Sequence, residues 1–311
     1  MKKILLATTA LVGFAGAASA EVSISGYAEM GIAGGNAGAI TQFWTDANVT
    51  FAMSGTTDGG LEFGAKVDLD SIPGNVGPGM TQGGESIWIS GSFGKITMGD
   101  TDGALDWAVS EIYMGTAIAD DHSSHAGAYW NSGLDGSAGG QIARYEYSFG
   151  SFAAAVSAEI DSSGAGNNVL GVGVKYSSDM GGTAIGFGLG YQDNSVTSMY
   201  AVSANATMTN GIAINVGYAD LGALAPGAND TWAGVGLGYT SGALMVQGNY
   251  GTYSLLGGGS VSGFGVVANY DLGGGAVVMA GYGSGDLAAG NEIGGTYGST
   301  DTFSVGLGLS F

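Results

Sequence analysis

Two histidines, His122 and His125, stand three residues apart beside Asp120 and Asp121, and the chain has no others. On a helical turn that spacing would bring two imidazoles together, which is the beginning of a metal site. A tetrahedral zinc centre needs further nitrogen or sulfur ligands, and there is no third histidine and no cysteine. The neighbouring carboxylates suit a hard cation such as Ca2+ better. No stretch matches the calcium-loop motif, so no metal ligands are named and no cofactor is required. An ordinary solvated pair of loop histidines is the plain alternative. Covalent catalysis is no better supported. The absence of cysteine removes one nucleophile, and no G-x-S-x-G elbow offers a serine. No acid pair or nucleophile constellation points to hydrolysis.

What remains is electrostatics. The chain carries 26 acidic and 6 basic residues. Without Lys2 and Lys3 the formal charge is −22, a field that repels nucleic acid and favours cations. Seven carboxylates gather in one stretch: Asp100, Asp102, Asp106, Glu111, Asp120, Asp121 and Asp135. Within it, the run DGALDWAVSEIY at 102–113 is expected to contain a short helix. Asp102 is a candidate cap, and Leu105, Val109 and Ile112 are spaced for one face.

The elements around this stretch are strands. The last eleven residues, DTFSVGLGLSF, put Phe303, Val305, Leu307, Leu309 and Phe311 on one side, with Thr, Ser and Gly between them. Strict alternation over about 9–11 residues is the pattern of a membrane-crossing β-strand. It recurs near 22–32, 41–54, 61–69, 86–91, 95–99, 141–149, 152–160, 170–176, 183–191, 200–208, 212–218, 232–239, 244–250, 264–270, 276–282 and 303–311. These sixteen strands, an even number, predict an all-β fold: an antiparallel transmembrane β-barrel. Seven connections are short and Gly-rich, among them 55–60, 177–182 and 271–275. They alternate with long ones near 33–40, 71–84, 100–140, 161–168, 192–198, 220–230, 252–261 and 283–301. Alternation collects the long connections at one rim. Barrels of this kind keep short turns in the periplasm and long loops outside the cell.

The remaining composition agrees. Gly is 63 of 311 residues, which a soluble strand would tolerate poorly. A closed barrel can, because every backbone group is paired. Tyr176, Tyr191, Tyr218, Tyr239, Tyr250, Tyr270 and Tyr282 fall near strand ends, as an aromatic girdle would. Residues 1–20, MKKILLATTALVGFAGAASA, read as a secretory signal peptide with an A-x-A cleavage site, leaving 21–311 as the barrel.

Strand parity then sorts the charges. If Phe63, Ala65 and Val67 face lipid, then Glu62, Lys66, Asp68 and Asp70 face the lumen. The same rule turns Lys95, Thr97, Arg144, Glu146 and Lys175 inward, with Glu29, Glu159, Gln192, Asn215, Gln247, Asn249 and Asn269. A loop as long as 100–140 needs a purpose, and folding inward to narrow the pore is one.

The leader, the EVSISGYAEMGI start, the hairpins FAMSGTTDGGLEFGAKVDLD and SGSFGKITMGD, and the terminal SVGLGLSF together resemble the general-diffusion porins of Rhodobacter and related alphaproteobacteria. The resemblance implies a homotrimeric outer-membrane barrel with an inward-folded third loop, in contact with lipid and lipopolysaccharide. It implies passive flow of ions and small hydrophilic solutes. By position, Asp102, Asp106, Glu111, Asp120 and Asp121 are the acidic side of the constriction, and Lys66 and Arg144 the wall. The family's arginine cluster is absent, since Arg144 is the only arginine, so cation preference is expected. A non-conducting adhesin or structural barrel, and an outer-membrane hydrolase, are the alternatives.

Overall fold

Alternating apolar and small residues bury nothing unless the sheet closes, and here it does. A computed structural model describes residues 20–35, 41–71, 80–118, 127, 132–286 and 300–311. The leader at 1–19, and Asp120, Asp121, His122 and His125, lie outside them. Sixteen strands form one antiparallel closed barrel in which each pairs with its neighbours in sequence. They are β1 (Glu21–Gly35), β2 (Gln42–Thr56), β3 (Glu62–Ser71), β4 (Met80–Gly91), β5 (Gly94–Gly99), β6 (Ile142–Phe149), β7 (Phe152–Glu159) and β8 (Val169–Met180). The second half comprises β9 (Thr183–Asp193), β10 (Ser198–Thr207), β11 (Ile212–Asp220), β12 (Asn229–Ser241), β13 (Leu244–Leu255), β14 (Ser260–Gly273), β15 (Ala276–Gly285) and β16 (Thr300–Ser310). The barrel closes where β1 meets β16, from Tyr27 opposite Ser310 to Gly35 opposite Thr302. That register puts the start of β1 and the end of β16 on the rim of the short turns.

All sixteen expected strands are present, and several run further than the apolar pattern does. Strand β8 continues through Ser177, Ser178 and Asp179 to Met180, leaving Gly181-Gly182 as the turn. Both glycines have positive φ, 65° and 88°, the conformation that a two-residue hairpin with the right twist demands. Two connections expected to be long, near 192–198 and 252–261, are tight turns at 194–197 and 256–259. The reason is that a closed sheet supplies hydrogen-bond partners whatever the side chains are. Pairing therefore runs on past the greasy band that marks a strand in the sequence.

One face of the strands is exposed and apolar, as at Val172, Val174, Leu189 and Tyr191. Toward the short-turn rim, Phe149, Phe152, Tyr176 and Phe187 form a chain of rings with centroids 5.9, 4.9 and 6.3 Å apart. Tyr200–Tyr218 and Phe264–Tyr282 pair toward the other rim, at 6.2 and 6.0 Å. The result is two aromatic girdles flanking an apolar band. No described helix is long and apolar enough to cross a membrane. The opposite face is mostly polar but not wholly so. Trp232, Tyr253, Ala201, Ala219 and Val261 share it and form a buried cluster with Leu105 and Ile112 of the 100–140 segment.

Candidate functional site

The 100–140 segment begins with a single helix, α1 (Ala104–Ala108), which packs against β7, β8 and β9. It falls inside the 102–113 run expected to contain a short helix, but its N-cap is Gly103 with no side-chain cap, so Asp102 does not cap it. Beyond it, backbone groups bond to the wall instead of extending the helix. The N–H of Ala104 goes to Ser157 Oγ at 2.8 Å, that of Ser110 to Ser203 Oγ at 2.8 Å, and that of Met114 to Gln247 Oε1 at 2.9 Å. Each is a donor that a longer helix would need or leave unmade.

Wall side chains also reach the segment's carbonyls. Arg144 donates to Asp102 O, Lys175 Nζ to Trp107 O (3.2 Å) and Asn215 Nδ2 to Glu111 O (3.0 Å). Asn269 Nδ2 donates to Thr116 O (2.8 Å) and Ser304 Oγ to Ile118 O (2.5 Å). The partners follow strand order, from β6 through β7, β8, β10, β11, β13 and β14 to β16. Residues 102–118 thus run along the polar face of more than half the barrel. They lie so close that the wall beneath must be glycine. A Cβ on Gly173 would come within 2.0 Å of Ala104 O, and one on Gly236 within 1.9 Å of Ile112 O.

The return limb is held by two buried wall residues. Glu159, 2 % exposed, accepts the N–H groups of Gly136, Ala138 and Gly140 at 3.0, 3.0 and 2.6 Å. Gln192, wholly buried, accepts from Leu134 N at 2.7 Å and donates to Asp135 Oδ1 at 2.5 Å. Asp135 Oδ2 in turn accepts from Gly103 N at 2.7 Å, so the two ends of the segment are tied together. Trp232 Nε1 donates to Gly127 O at 2.7 Å.

Among the residues expected at a constriction, Asp102, Asp106 and Arg144 come together. Arg144 is nearly buried. Its Nε contacts Glu146 at 3.0 Å, and its Nη1 lies 3.9 Å from the exposed carboxylate of Asp102. Burial pushes the Asp106 carboxyl up to about 8, helped by Asp102, Asp135 and Glu111 and opposed by Arg144. Burial also raises Asp135, to about 6, against the lowering effect of its bonds from Gly103 and Gln192. Glu111 is exposed. Lys66 is on β3, away from the strands that α1 packs against, and pairs with Asp68 at 2.7 Å.

Sequence reasoning put Lys175 on the polar face but gave it no role. Its ammonium sits 3.8 Å from the centroid of the Trp107 ring, with Arg144 Cζ 6.0 Å away. The carboxylate of Glu159 and the amide of Gln192 were likewise read as facing inward, and nothing in their spacing shows that they clasp a loop. Trp107 itself had no signal, since a lone indole in an irregular segment follows no period. Among the described residues no group of three or more His, Cys, Asp or Glu is placed to hold a metal ion.

A family model described as Gram-negative porin matches residues 7–290. The chain is 30 % identical over 293 residues to a porin of Rhodobacter capsulatus, covering 86 % of this chain and 95 % of that one. Among solved structures, a multiply substituted Rh. blastica porin is 17 % identical, matching 93 % of this chain and 100 % of its own at a TM-score of 0.72. A porin structure refined at 1.8 Å resolution is 24 % identical, matching 94 % and 100 % at a TM-score of 0.69. At these identities the structural matches speak for the fold alone.

Proposed function

This chain belongs to the Gram-negative porin family, and from that premise we propose that its 100–140 loop lies inside the barrel and sets the width and charge of the pore. The protein is a non-specific outer-membrane porin. Small solutes cross it by passive diffusion, and it transports without catalysing a reaction. The observation that carries the loop reading is the run of bonds from polar wall side chains to residues 102–118. Those side chains belong to the polar face of the strands, opposite the exposed apolar one, and this supports a place for the segment in the lumen.

In this reading Asp102, Asp106 and Glu111 form the acidic side of the constriction, with Asp120 and Asp121 further along the loop; Asp106, raised to about 8, holds its proton at neutral pH, so the charge there comes from the other carboxylates. Arg144 supplies a wall cation, and Lys66 faces the lumen from β3. Carboxylates outnumber basic groups in such a passage, so it prefers cations. Residues 1–20 act as an export signal. The short-turn rim is periplasmic, the long connections are extracellular, and three copies assemble into a trimer within lipid and lipopolysaccharide. Small outward residues such as Ala28, Ala65 and Ala154 would permit close approach between copies.

Reversal potentials across a planar bilayer in a salt gradient test the electrostatic part. The expected sign is that of cation selectivity. An anion-selective channel would overturn the preference, and a protein that inserts without conducting would overturn the pore.

A further inference from the structure

Asp68 and Glu146, we propose, are specificity-determining residues: each occupies the basic side chain two positions before it, so that neither Lys66 nor Arg144 is free to hold a passing anion. The proposal rests on the cation-preferring reading above and supplies its mechanism on the wall side.

Residues two apart on a strand share a face and stand roughly 7 Å apart along it. A long basic side chain can lie along the strand and meet a carboxylate there. Two strands use this arrangement in the same order, Lys66-Val67-Asp68 on β3 and Arg144-Tyr145-Glu146 on β6. Lys66 Nζ is 2.7 Å from Asp68 Oδ2. The other oxygen of Asp68 is held from β2 by Thr50 Oγ1 at 2.6 Å, which fixes the carboxylate against the lysine. Arg144 Nε is 3.0 Å from Glu146 Oε2, and Glu146 also stands opposite Lys95 in the β5–β6 ladder.

The other two basic side chains among the described residues lie over aromatic rings. Lys175 sits 3.8 Å from the Trp107 centroid and Lys95 5.3 Å from that of Trp88. All four described cations are therefore engaged. Stability does not explain the β3 pair. With Lys66 54 % and Asp68 26 % exposed, water screens it and it contributes little to folding. Its effect is on the field. A compact pair acts as a dipole, whose influence on a passing ion decays faster than that of a lone charge.

The test is block by a small polyanion, inorganic pyrophosphate, in channels reconstituted in planar bilayers and first shown to conduct. Wild type, Lys66→Met, Asp68→Asn and the Lys66→Met/Asp68→Asn double variant are compared. Freeing the ammonium creates an anion site only where Lys66 remains and Asp68 is gone. A severalfold drop in conductance with pyrophosphate is thus expected for Asp68→Asn alone. Equal block in wild type would show that Lys66 is already free and overturn the proposal. So would an unblocked Asp68→Asn, or block that persists in the double variant. Arg144 is 8 % exposed and keeps Asp102 beside it, so Glu146→Gln is expected to gain weaker block than Asp68→Asn, and a block-free Glu146→Gln would remove Glu146 from the proposal. The reversal potential of wild type is read separately. An anion-preferring wild type overturns the parent reading, while the pattern of block still reports on the pair.

Discussion

Asp106 is the residue at which protonation and loop structure meet. Its carboxyl is raised from 3.8 to about 8, chiefly by burial and then by Asp102, Asp135 and Glu111, with Arg144 pulling the other way. The folded protein therefore keeps a proton that the unfolded chain releases above 3.8. Stability from this group is full at acid pH and is lost progressively as pH rises toward about 8. Asp135, raised to about 6, adds to the same decline over the lower part of that interval. Asp106→Asn keeps the shape and cannot ionise. Its thermal midpoint should vary less than that of wild type between about pH 6 and about pH 9, and should exceed wild type at the alkaline end. A wild-type midpoint that climbs across that range would contradict the assignment.

At the scale of elements, the wall and the loop are one construction. Glycine on the polar face of β8 and β12 is a matter of clearance, because a loop carbonyl fills the place of the missing Cβ. Gly236→Ala would put a methyl 1.9 Å from Ile112 O, whereas at Gly248 the nearest atoms to a new Cβ are at 3.6 Å. Gly236→Ala is expected to cost about 1–3 kcal/mol as the loop shifts to make room, and single-channel conductance should change with it. Gly248→Ala should conduct like wild type and be neutral or slightly more stable, since alanine suits a strand better than glycine. Melting curves and conductance on the pair decide the matter. Equal behaviour would mean that the loop does not lie on the wall.

The whole molecule makes predictions about sidedness and assembly. The chain has no cysteine, so an introduced thiol is the only one to label. A thiol at Asn167, exposed in the connection between β7 and β8, should react with a membrane-impermeant maleimide on intact cells. One at Ser151, in the turn between β6 and β7, should react only once the outer membrane is opened. The reverse pattern would invert the proposed orientation. In gentle detergent the mass should be that of three chains, and a stable monomer would count against the trimer.

The barrel was legible in the sequence because the membrane imposes a period. Lipid on one side of a strand and paired backbone on both edges force alternation, and Phe303 to Phe311 shows it without help from the rest of the chain. Parity likewise put Glu159, Gln192, Gln247 and Asn269 on one face. What those groups bind follows from no period. Their partners lie up to 153 residues away, in a segment whose backbone takes its bonds from the wall and so has no repeat of its own. The length of α1, the extension of strands beyond the apolar band, and the clasp on Gly136, Ala138 and Gly140 arise only when the sheet closes and brings distant groups into reach. The charges divide the same way: their number and facing are local to each strand, whereas the shift at Asp106 exists only where Asp102, Asp135 and Arg144 surround a half-buried carboxyl.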